Sequence, residues 1–214
     1  TSRKSVTKVV PAIHVASPEE YRDQLRVVRQ LTSRFQLDVI DPDFADSPTV
    51  SMTEIEVPIG MQCDVHIMSP NPGRYMEDAL ALKPEMIIVQ YETVENVEEI
   101  LEAIRSHEVR VGLAINPETS IEHIASLVGL IDHCLIMGYP AGRAGQTFQP
   151  KVLHKVAQVR QLKPTIEVGL DGGVAEESLE RIAKANFDVV NVTTYLFSSQ
   201  DILGRYTELM EVFV

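Results

Sequence analysis

Three titratable side chains lie near the ends of apolar, strand-like runs of the sequence. Asp38 lies in "QLDVI", His66 lies in "MQCDVHIM", and Asp171 directly follows "IEVGL". Because side chains alternate between the two faces of a strand, each of them lies on the face opposite its apolar neighbours. If these runs are parallel strands of one barrel, we expect two carboxylates and an imidazole to meet at its carboxyl-terminal rim.

These residue types can bind a divalent metal and can also transfer protons. Carboxylate oxygens and imidazole nitrogens are suitable ligands for zinc, manganese or iron. Such a metal polarises a carbonyl, and carboxylates on two sides of a substrate can remove and return a proton at the adjacent carbon. That chemistry is a two-base epimerisation. The alternative is that the three groups only pair with one another inside the fold, because an unpaired buried charge is costly.

Two glycine-rich segments favour an anion site at the same rim. The first, "GYPAGRAGQTF" at residues 138–148, includes Gly142 and Gly145, and "DGGV" includes Gly172 and Gly173. Backbone N–H groups in such loops can bind phosphate. Tight turns also require glycine, so each loop alone is weak evidence. Together they favour a phosphorylated substrate.

Eight strand-like runs position these residues, and helical segments separate most of them. The predicted strands are Lys8–Val15, Phe35–Ile40, Met61–Met68, Met86–Tyr91, Val109–Ile115, Ile131–Gly138, Thr165–Leu170 and Phe187–Thr193. The first predicted helix has Ser17 as its N-cap and Pro18 in its first turn. Later helices are predicted at residues 73–82 and at Val94–Ile104, Ser120–Val128, Pro150–Leu162, Ala175–Ala185 and Asp201–Phe213. Residues 49–60 leave room for little more than one turn, so the second helix is predicted to be short.

Strict alternation of strands and helices requires parallel strands joined by right-handed crossovers. A closed eight-stranded barrel and an open, doubly wound sheet both satisfy this requirement. We favour the barrel, because eight is the strand number of the (β/α)8 TIM barrel. The chain contains no linker rich in proline, glycine or serine, so residues 1–214 are predicted to be one α/β domain.

Composition limits the partners of the protein. The net charge is −12 and the chain has no basic cluster, which argues against a nucleic-acid partner. No apolar run is long enough to cross a membrane, and the first residues lack the apolar core of a signal peptide. We therefore predict a cytoplasmic protein. Cys63 and Cys134 lie within strand-like runs and are predicted to be buried free thiols.

Six segments of the chain occur in the order of a known family: "VVPAIHVAS", "LDVIDPDF", "CDVHIMSPNPGRYMED", "VGLAINPETSIEHI", "LIMGYPAGRAGQTFQPKVLHKV" and "IEVGLDGGV". In this order, and at nearly this spacing, they resemble the ribulose-phosphate 3-epimerase family from about Val9 to Phe197. The resemblance implies a (β/α)8 barrel that interconverts ribulose 5-phosphate and xylulose 5-phosphate with a divalent metal and two aspartates. Family members commonly form oligomers, so a homo-oligomer is expected.

The resemblance also implies roles for individual residues. Asp38 and Asp171 match the acid and base pair, which are also metal ligands, and His66 matches a metal-ligating histidine. The residues that match the substrate and phosphate sites are Met68, Met137, Gly142, Gly145, Gly172 and Gly173, with Ile40 where a third methionine is usual. Arg143, in the same loop as Gly142, either pairs with a phosphate or is a solvated charge.

Several positions depart from the family pattern. Gln36 replaces a metal-ligating histidine, and an amide oxygen is the weaker ligand. Ala12 replaces a serine of the first strand, and His14 on the same face is our candidate for a replacement ligand. Thr193-Thr194 replaces the Gly-Ser that usually binds phosphate, which loses a glycine but adds hydroxyl groups.

These departures leave three functions open. The first is metal-dependent epimerisation of ribulose 5-phosphate, with Asp38 and Asp171 transferring the protons. The second is a related barrel that acts on a different sugar phosphate. The third is a non-catalytic paralogue that binds a sugar phosphate or a protein partner.

Overall fold

Eight parallel strands form a closed barrel in the computed structural model, which describes residues 6–213. Each strand pairs with the next along the chain, and β8 pairs with β1 to close the ring. The strands are β1 Lys8–Ile13, β2 Arg34–Ile40, β3 Gln62–Met68, β4 Met86–Gln90, β5 Arg110–Ile115, β6 His133–Met137, β7 Glu167–Asp171 and β8 Val189–Val192. The predicted (β/α)8 barrel is therefore confirmed. Residues 1–5 and 214 of the predicted domain lie outside the described residues.

Helices connect the strands on the outside of the barrel. They are α1 Pro18–Leu31, α2 Met76–Ala81, α3 Val97–Ser106, α4 Ile121–Ile124, α5 Lys155–Leu162, α6 Glu176–Lys184, α7 Thr194–Phe197 and α8 Ile202–Phe213. Between β2 and β3 there is one 3-10 turn, Met52–Glu54, so the short second helix is confirmed. None of the helices within residues 6–213 is long and apolar enough to span a membrane.

Some predicted helix bounds were wrong. The helix predicted at Ser120–Val128 is only α4, because the N–H of Ala125 bonds the Glu122 carbonyl in a tighter turn and a 3-10 turn follows at Val128–Leu130. The segment predicted as helix from Pro150 begins with a 3-10 turn before α5. Helix α7 was not predicted, since four residues carry no readable period.

Helix α1 forms where its N-terminal residues predict it. The Ser17 hydroxyl accepts a hydrogen bond from the Glu20 N–H, and the Glu20 carboxylate in return accepts from the N–H of Ala16. Pro18 occupies the first turn, where its missing N–H costs nothing. Tyr21, which is 1% exposed, is buried against the barrel, and its ring lies beside that of Phe35 on β2.

Alternating residues divide the strands into an apolar outer face and a more polar inner face. Val65 and Ile67 on β3 belong to the main apolar core under the helices, whereas Asp64 and His66 face inward. A smaller apolar cluster fills the interior beside β4 to β6 and includes Met86, Ile88 and Leu135. Both cysteines are buried and free, as predicted.

A network of charged side chains fills the amino-terminal end of the barrel. Arg34 donates to Asp64 at 2.7 Å and to both oxygens of Glu167 at 2.9 and 3.0 Å. His133 contacts Glu167 through Nδ1 at 2.8 Å. Burial would raise the pKa of Glu167, but the hydrogen bonds from His133 and Arg34 outweigh it and hold that pKa well below the ordinary 4.5. Ionised Glu167 therefore stabilises the fold.

We expect Glu167→Gln to destabilise the protein by roughly 3 kcal/mol at neutral pH, because it leaves Arg34 and His133 buried beside a neutral amide. The folded-state pKa of Glu167 is lowered, so its contribution is complete above pH 4.5 and is lost as the pH falls further. The difference between wild type and variant should therefore shrink below that pH. Urea unfolding across the pH range measures it.

Glu85→Gln is the matched control for this experiment. Glu85 lies 3.9 Å from Arg110, and its side chain is 38% exposed, so we expect a change below about 1 kcal/mol. Equal destabilisation by the two variants, or a Glu167→Gln effect that does not change with pH, would contradict the role given to the network.

Candidate active site

The strand register brings the predicted site residues to the same height at the carboxyl-terminal end of the barrel. Asp38 on β2 pairs with His66 on β3, and Asp171 is the last residue of β7. All three are buried, with exposed fractions of 7%, 0% and 7% in the order Asp38, His66 and Asp171. The structure therefore brings together the three residues that alternation had placed on the inner face.

Asp38, His66 and Asp171 form a compact set of candidate metal ligands. One atom from each residue can be chosen so that all lie within 4.8 Å of one another. His66 Nδ1 lies 3.6 Å from Asp38 Oδ1 and 3.6 Å from Asp171 Oδ2. These distances are too long for strong hydrogen bonds, but they leave a space bordered by two carboxylate oxygens and one ring nitrogen.

Hydrogen bonds behind His66 determine which ring nitrogen faces this space. His66 Nε2 lies 3.3 Å from Gln90 Oε1, and Gln90 Nε2 donates to Glu92 at 2.6 Å. Glu92 is held by the N–H of Asn116 and the Thr119 hydroxyl. The Gln90 oxygen can only accept, so Nε2 carries a proton. His66 Nδ1 is buried and has no hydrogen-bond partner among residues 6–213, as expected for a metal ligand.

The charges of the site depend on one another. Burial opposes protonation of His66, but the facing carboxylates of Asp171 and Asp38 outweigh it and raise its pKa to about 9. Burial would raise the pKa of Asp38, but contacts with His14 and His66 hold it well below its ordinary value. Without a metal, a protonated imidazole thus supplies the positive charge between the two acids.

His14 reaches Asp38 from the first strand, but on its other oxygen. His14 Nδ1 lies 3.5 Å from Asp38 Oδ2, and Nε2 lies 3.1 Å from the Ser47 hydroxyl. The contact with Asp38 raises the pKa of His14 against the effect of burial. The idea that His14 replaces the missing ligand stays a prediction.

Gln36 lies below the two acids with its amide nitrogen toward them. Nε2 donates to Asp38 at 2.8 Å and to Asp171 at 2.7 Å, while Oε1 accepts from Asn191 at 2.7 Å. Sequence reasoning considered the Gln36 oxygen as a ligand but did not identify Asn191 or Gln90. Both are polar inner-face residues of otherwise apolar strands, and that signal could have found them.

A small cavity lies above the acids. Its volume is about 30 Å³, and among its lining residues are Ile40, Met68, Met137, Thr193, Gly142 and Arg143. The three residues predicted for the apolar pocket are therefore together. The space holds about one water molecule.

A second cavity of about 370 Å³ adjoins the first. Among its lining residues are Gly145, Gly172, Gly173, Thr193, Thr194 and Asn191. Gly172 and Gly173 have φ values of +88° and +82°, a conformation in which other residues are strained. Tyr139 and Thr193 line both cavities and form the wall between them. Most of the predicted phosphate residues thus meet here, whereas Gly142 and Arg143 lie over the acids.

Asp41 and Asp43, the other two acids of the segment that follows Asp38, lie outside the set of candidate metal ligands. Asp41 is 2% exposed and accepts hydrogen bonds from the Ser69 hydroxyl at 2.6 Å and the Asp43 N–H at 2.9 Å. Asp43 is exposed and lies 3.7 Å from Arg74. Asp41 therefore stabilises the turn after β2, Asp43 is a surface charge, and neither lines the two cavities.

Comparison with known proteins identifies related sequences. The model of the ribulose-phosphate 3 epimerase family matches residues 8–197. Ribulose-phosphate 3-epimerase of Chlamydia muridarum (strain MoPn / Nigg) is 30% identical over 210 residues, which is 94% of this chain and 92% of the relative. The protein of the same name from Schizosaccharomyces pombe is 28% identical and covers 82% of this chain and 79% of its own length.

Solved structures with similar folds are more distant in sequence. A 3-hexulose-6-phosphate synthase matches with a TM-score of 0.73 and 13% identity, covering 97% of this chain and 100% of that chain. Orotidine 5'-phosphate decarboxylase from Pyrococcus horikoshii OT3 matches with a TM-score of 0.64 and 11% identity, covering 96% and 99%. At these identities the similarity shows the barrel fold alone.

We expect Gln90→Leu to weaken Mn²⁺ binding by about 10- to 100-fold, because His66 loses the acceptor that fixes its tautomer and ring orientation. Equilibrium dialysis with elemental analysis measures the dissociation constant. Gln30→Leu is the control, since Gln30 is exposed on α1 and donates only to the Arg26 carbonyl. Unchanged affinity in Gln90→Leu would show that His66 needs no such orientation.

Proposed function

The chain belongs to the ribulose-phosphate 3-epimerase family, and from this premise we propose that it epimerises a ketose phosphate at C3, as between ribulose 5-phosphate and xylulose 5-phosphate. One observation carries the proposal for this chain. Two buried carboxylates, Asp38 and Asp171, face one another beneath a cavity lined by Met68 and Met137. The apolar side chains of Met68 and Met137 limit the access of water, which would otherwise protonate a reactive intermediate.

Asp38, His66 and Asp171 would hold the divalent metal of this family, be it zinc, manganese or iron. The fit rests on His66 Nδ1, a buried nitrogen without a hydrogen-bond partner among the described residues that faces two carboxylate oxygens. When bound, the cation would polarise the C2 carbonyl and stabilise the negative charge that develops on its oxygen.

The proposed reaction needs a base and an acid on opposite sides of C3. One carboxylate, from Asp38 or Asp171, removes the C3 proton. The electron pair of that C–H bond forms a C2=C3 double bond, and the π pair of the C2 carbonyl moves onto its oxygen to give an enediolate. The other residue begins as the carboxylic acid and returns a proton to the opposite side of C3. The configuration at C3 is inverted, and the two residues have exchanged protonation states.

The second cavity is the proposed site of the phosphate. None of its described lining residues is a lysine or arginine, and Glu177 is among them, so recognition would depend on backbone N–H groups and on the hydroxyls of Thr193 and Thr194. The pairing of Arg143 with phosphate stays a prediction. A cytoplasmic location and a homo-oligomer also stay predictions.

A different sugar phosphate is the second candidate substrate. Its support is the wall between the cavities, where the large Tyr139 ring packs on Gly172 and Thr193 replaces the usual glycine. These residues would contact the chain between the sugar carbonyl and the phosphate, so they would select its length and configuration.

We expect the purified protein to convert ribulose 5-phosphate to xylulose 5-phosphate when Mn²⁺, Zn²⁺ or Fe²⁺ is supplied. A panel of pentulose and hexulose phosphates tests the second candidate in the same assay. Turnover of another member alone would favour the changed substrate. If the metal binds and no member reacts, the enzymatic proposal fails and a non-catalytic paralogue is favoured.

We expect Asp38→Asn and Asp171→Asn each to lower interconversion by about 10²- to 10⁴-fold, because each removes one of two required proton carriers. Each variant should still exchange the C3 hydrogen of one epimer with D₂O, since the remaining carboxylate reaches one side of C3. The two variants should exchange opposite epimers, as NMR of the substrates can measure. Exchange of the same epimer by both variants would argue against two bases, and Asp43→Asn is the control.

A further inference from the structure

The amide nitrogen of Gln36 borders the same space as the three candidate metal ligands. It donates to Asp38 Oδ1 and to Asp171 Oδ2, and these are the two oxygens that lie 3.6 Å from His66 Nδ1. Gln36 is completely buried, so no solvent separates its amide from the acids. A ligand that binds between the carboxylates must therefore contact this amide group or displace it.

The hydrogen bonds of Gln36 determine its amide orientation. An ionised carboxylate can only accept, so the 2.8 Å contact with Asp38 Oδ1 requires an N–H group at that position, and the same nitrogen lies 2.7 Å from Asp171 Oδ2. On the other side, Oε1 accepts from Asn191 Nδ2 at 2.7 Å. This orientation suits a pair of carboxylates without a cation, because N–H dipoles pointing into the space would repel a positive ion.

Asn191 is free to turn together with Gln36. Its Nδ2 bonds Gln36, whereas its Oδ1 is buried and has no hydrogen-bond partner among residues 6–213. Rotation of the Asn191 amide therefore breaks no bond other than the one it shares with Gln36. If both amides rotate, that bond forms again with reversed direction, from Gln36 Nε2 to Asn191 Oδ1.

Asn191 and Gln36 reach one another across the first strand. β1 lies between β2 and β8, and Ala12 on β1 pairs with Gln36 on β2. Ala12 shares the inner face with His14, and its methyl group offers neither of the two amides a competing hydrogen bond. The small side chain leaves room for the contact.

We propose that Gln36 and Asn191 form a coupled amide pair that reverses when a divalent metal binds, so that Gln36 presents Oε1 to the metal as a fourth protein ligand. The proposal rests on the metal-dependent function proposed above. Without metal, the Gln36 N–H groups hold the two acids in position. With metal, the acids bind the ion and no longer need those donors, and Asn191 acts as a positioning residue for the Gln36 oxygen.

The proposal makes opposite predictions for two substitutions. Gln36→Leu removes the amide oxygen, and we expect Mn²⁺ affinity to fall by about tenfold or more. Asn191→Asp can only accept while it is ionised, so it favours the orientation in which the Gln36 N–H faces residue 191, and we expect affinity to rise. A Gln36→Leu variant with equal or tighter Mn²⁺ binding would overturn the proposal, because the amide would then only compete with the metal.

A double-mutant cycle separates orientation from simple charge. The added carboxylate of Asn191→Asp would attract Mn²⁺ in any background, whereas the effect on Gln36 requires the amide. We expect the gain in the Gln36→Leu, Asn191→Asp double variant to shrink to the part that charge alone supplies, and a gain as large as in the Asn191→Asp single variant would overturn the coupling. His14→Ala is measured in parallel. If it weakens binding and Gln36→Leu does not, His14 is the fourth ligand and the proposal is wrong.

NMR of the wild-type protein provides a test that does not depend on the folding of any variant. In the metal-free protein, the Gln36 side-chain N–H protons should show NOEs to the β-protons of Asp38 and Asp171. On saturation with Zn²⁺, which is diamagnetic, these NOEs should be replaced by NOEs to the β-protons of Asn191. The same NOEs in both states would overturn the proposal.

The failures of the two proposals can be told apart. Metal binding that is insensitive to Gln36→Leu overturns the amide pair alone. Metal binding with the expected amide reversal, but without turnover of any sugar phosphate, overturns the epimerase function and leaves the pair standing. If the wild-type protein binds neither Mn²⁺ nor Zn²⁺ and is active in the presence of a chelator, both the metal role and the amide pair are overturned.

Discussion

Two carboxylates with ligand oxygens less than 5 Å apart inside a barrel impose the main constraint on this protein. Like charges at such a distance raise each other's pKa unless donors or cations compensate them. Here the compensation comes from three directions: His66 faces both acids, Gln36 donates to both, and His14 lies beside the outer oxygen of Asp38. The residues behind these groups follow from the same requirement, since Gln90 orients His66 and Asn191 orients Gln36.

The buried charged groups at the two ends of the barrel differ in their hydrogen bonds. At the amino-terminal end, Arg34 and His133 satisfy Glu167 with direct hydrogen bonds, which gives that end a structural role, although Asp64 Oδ1 and His133 Nε2 have no hydrogen-bond partner among the described residues. At the carboxyl-terminal end, His66 Nδ1 faces the acids at distances too long for strong hydrogen bonds. His66 Nδ1 differs from the other unpartnered buried atoms because it faces two carboxylates that border a cavity, and that is the physical basis for assigning chemistry to this end.

Sequence reasoning recovered the features that follow from local rules. Alternation along β2, β3 and β7 placed Asp38, His66 and Asp171 on the inner face, because successive side chains of a strand point to opposite faces. It could not recover the direction of the Gln36 amide, since its partner Asn191 lies 155 residues away and the orientation depends on which donors meet. The support of His66 by Gln90 was missed for the same reason. Short elements such as α4 and α7 were misjudged because tertiary packing, and not helical period, decides where they end.

The residues that depart from the family pattern are neighbours in space. Their positions bear on whether the metal site has been lost or has been rebuilt with other residues. Ala12 and Gln36 are paired across β1 and β2, and β8 on the other side of β1 leads into Thr193-Thr194. Random loss of a metal site would leave an unpaired acid or an empty ligand position. Instead, Gln36 satisfies both acids and is itself satisfied by Asn191, which also lines the second cavity. A changed sector in which Gln36 bonds both acids fits the proposal of a site rebuilt around a different fourth residue, with Asp38 and Asp171 retained.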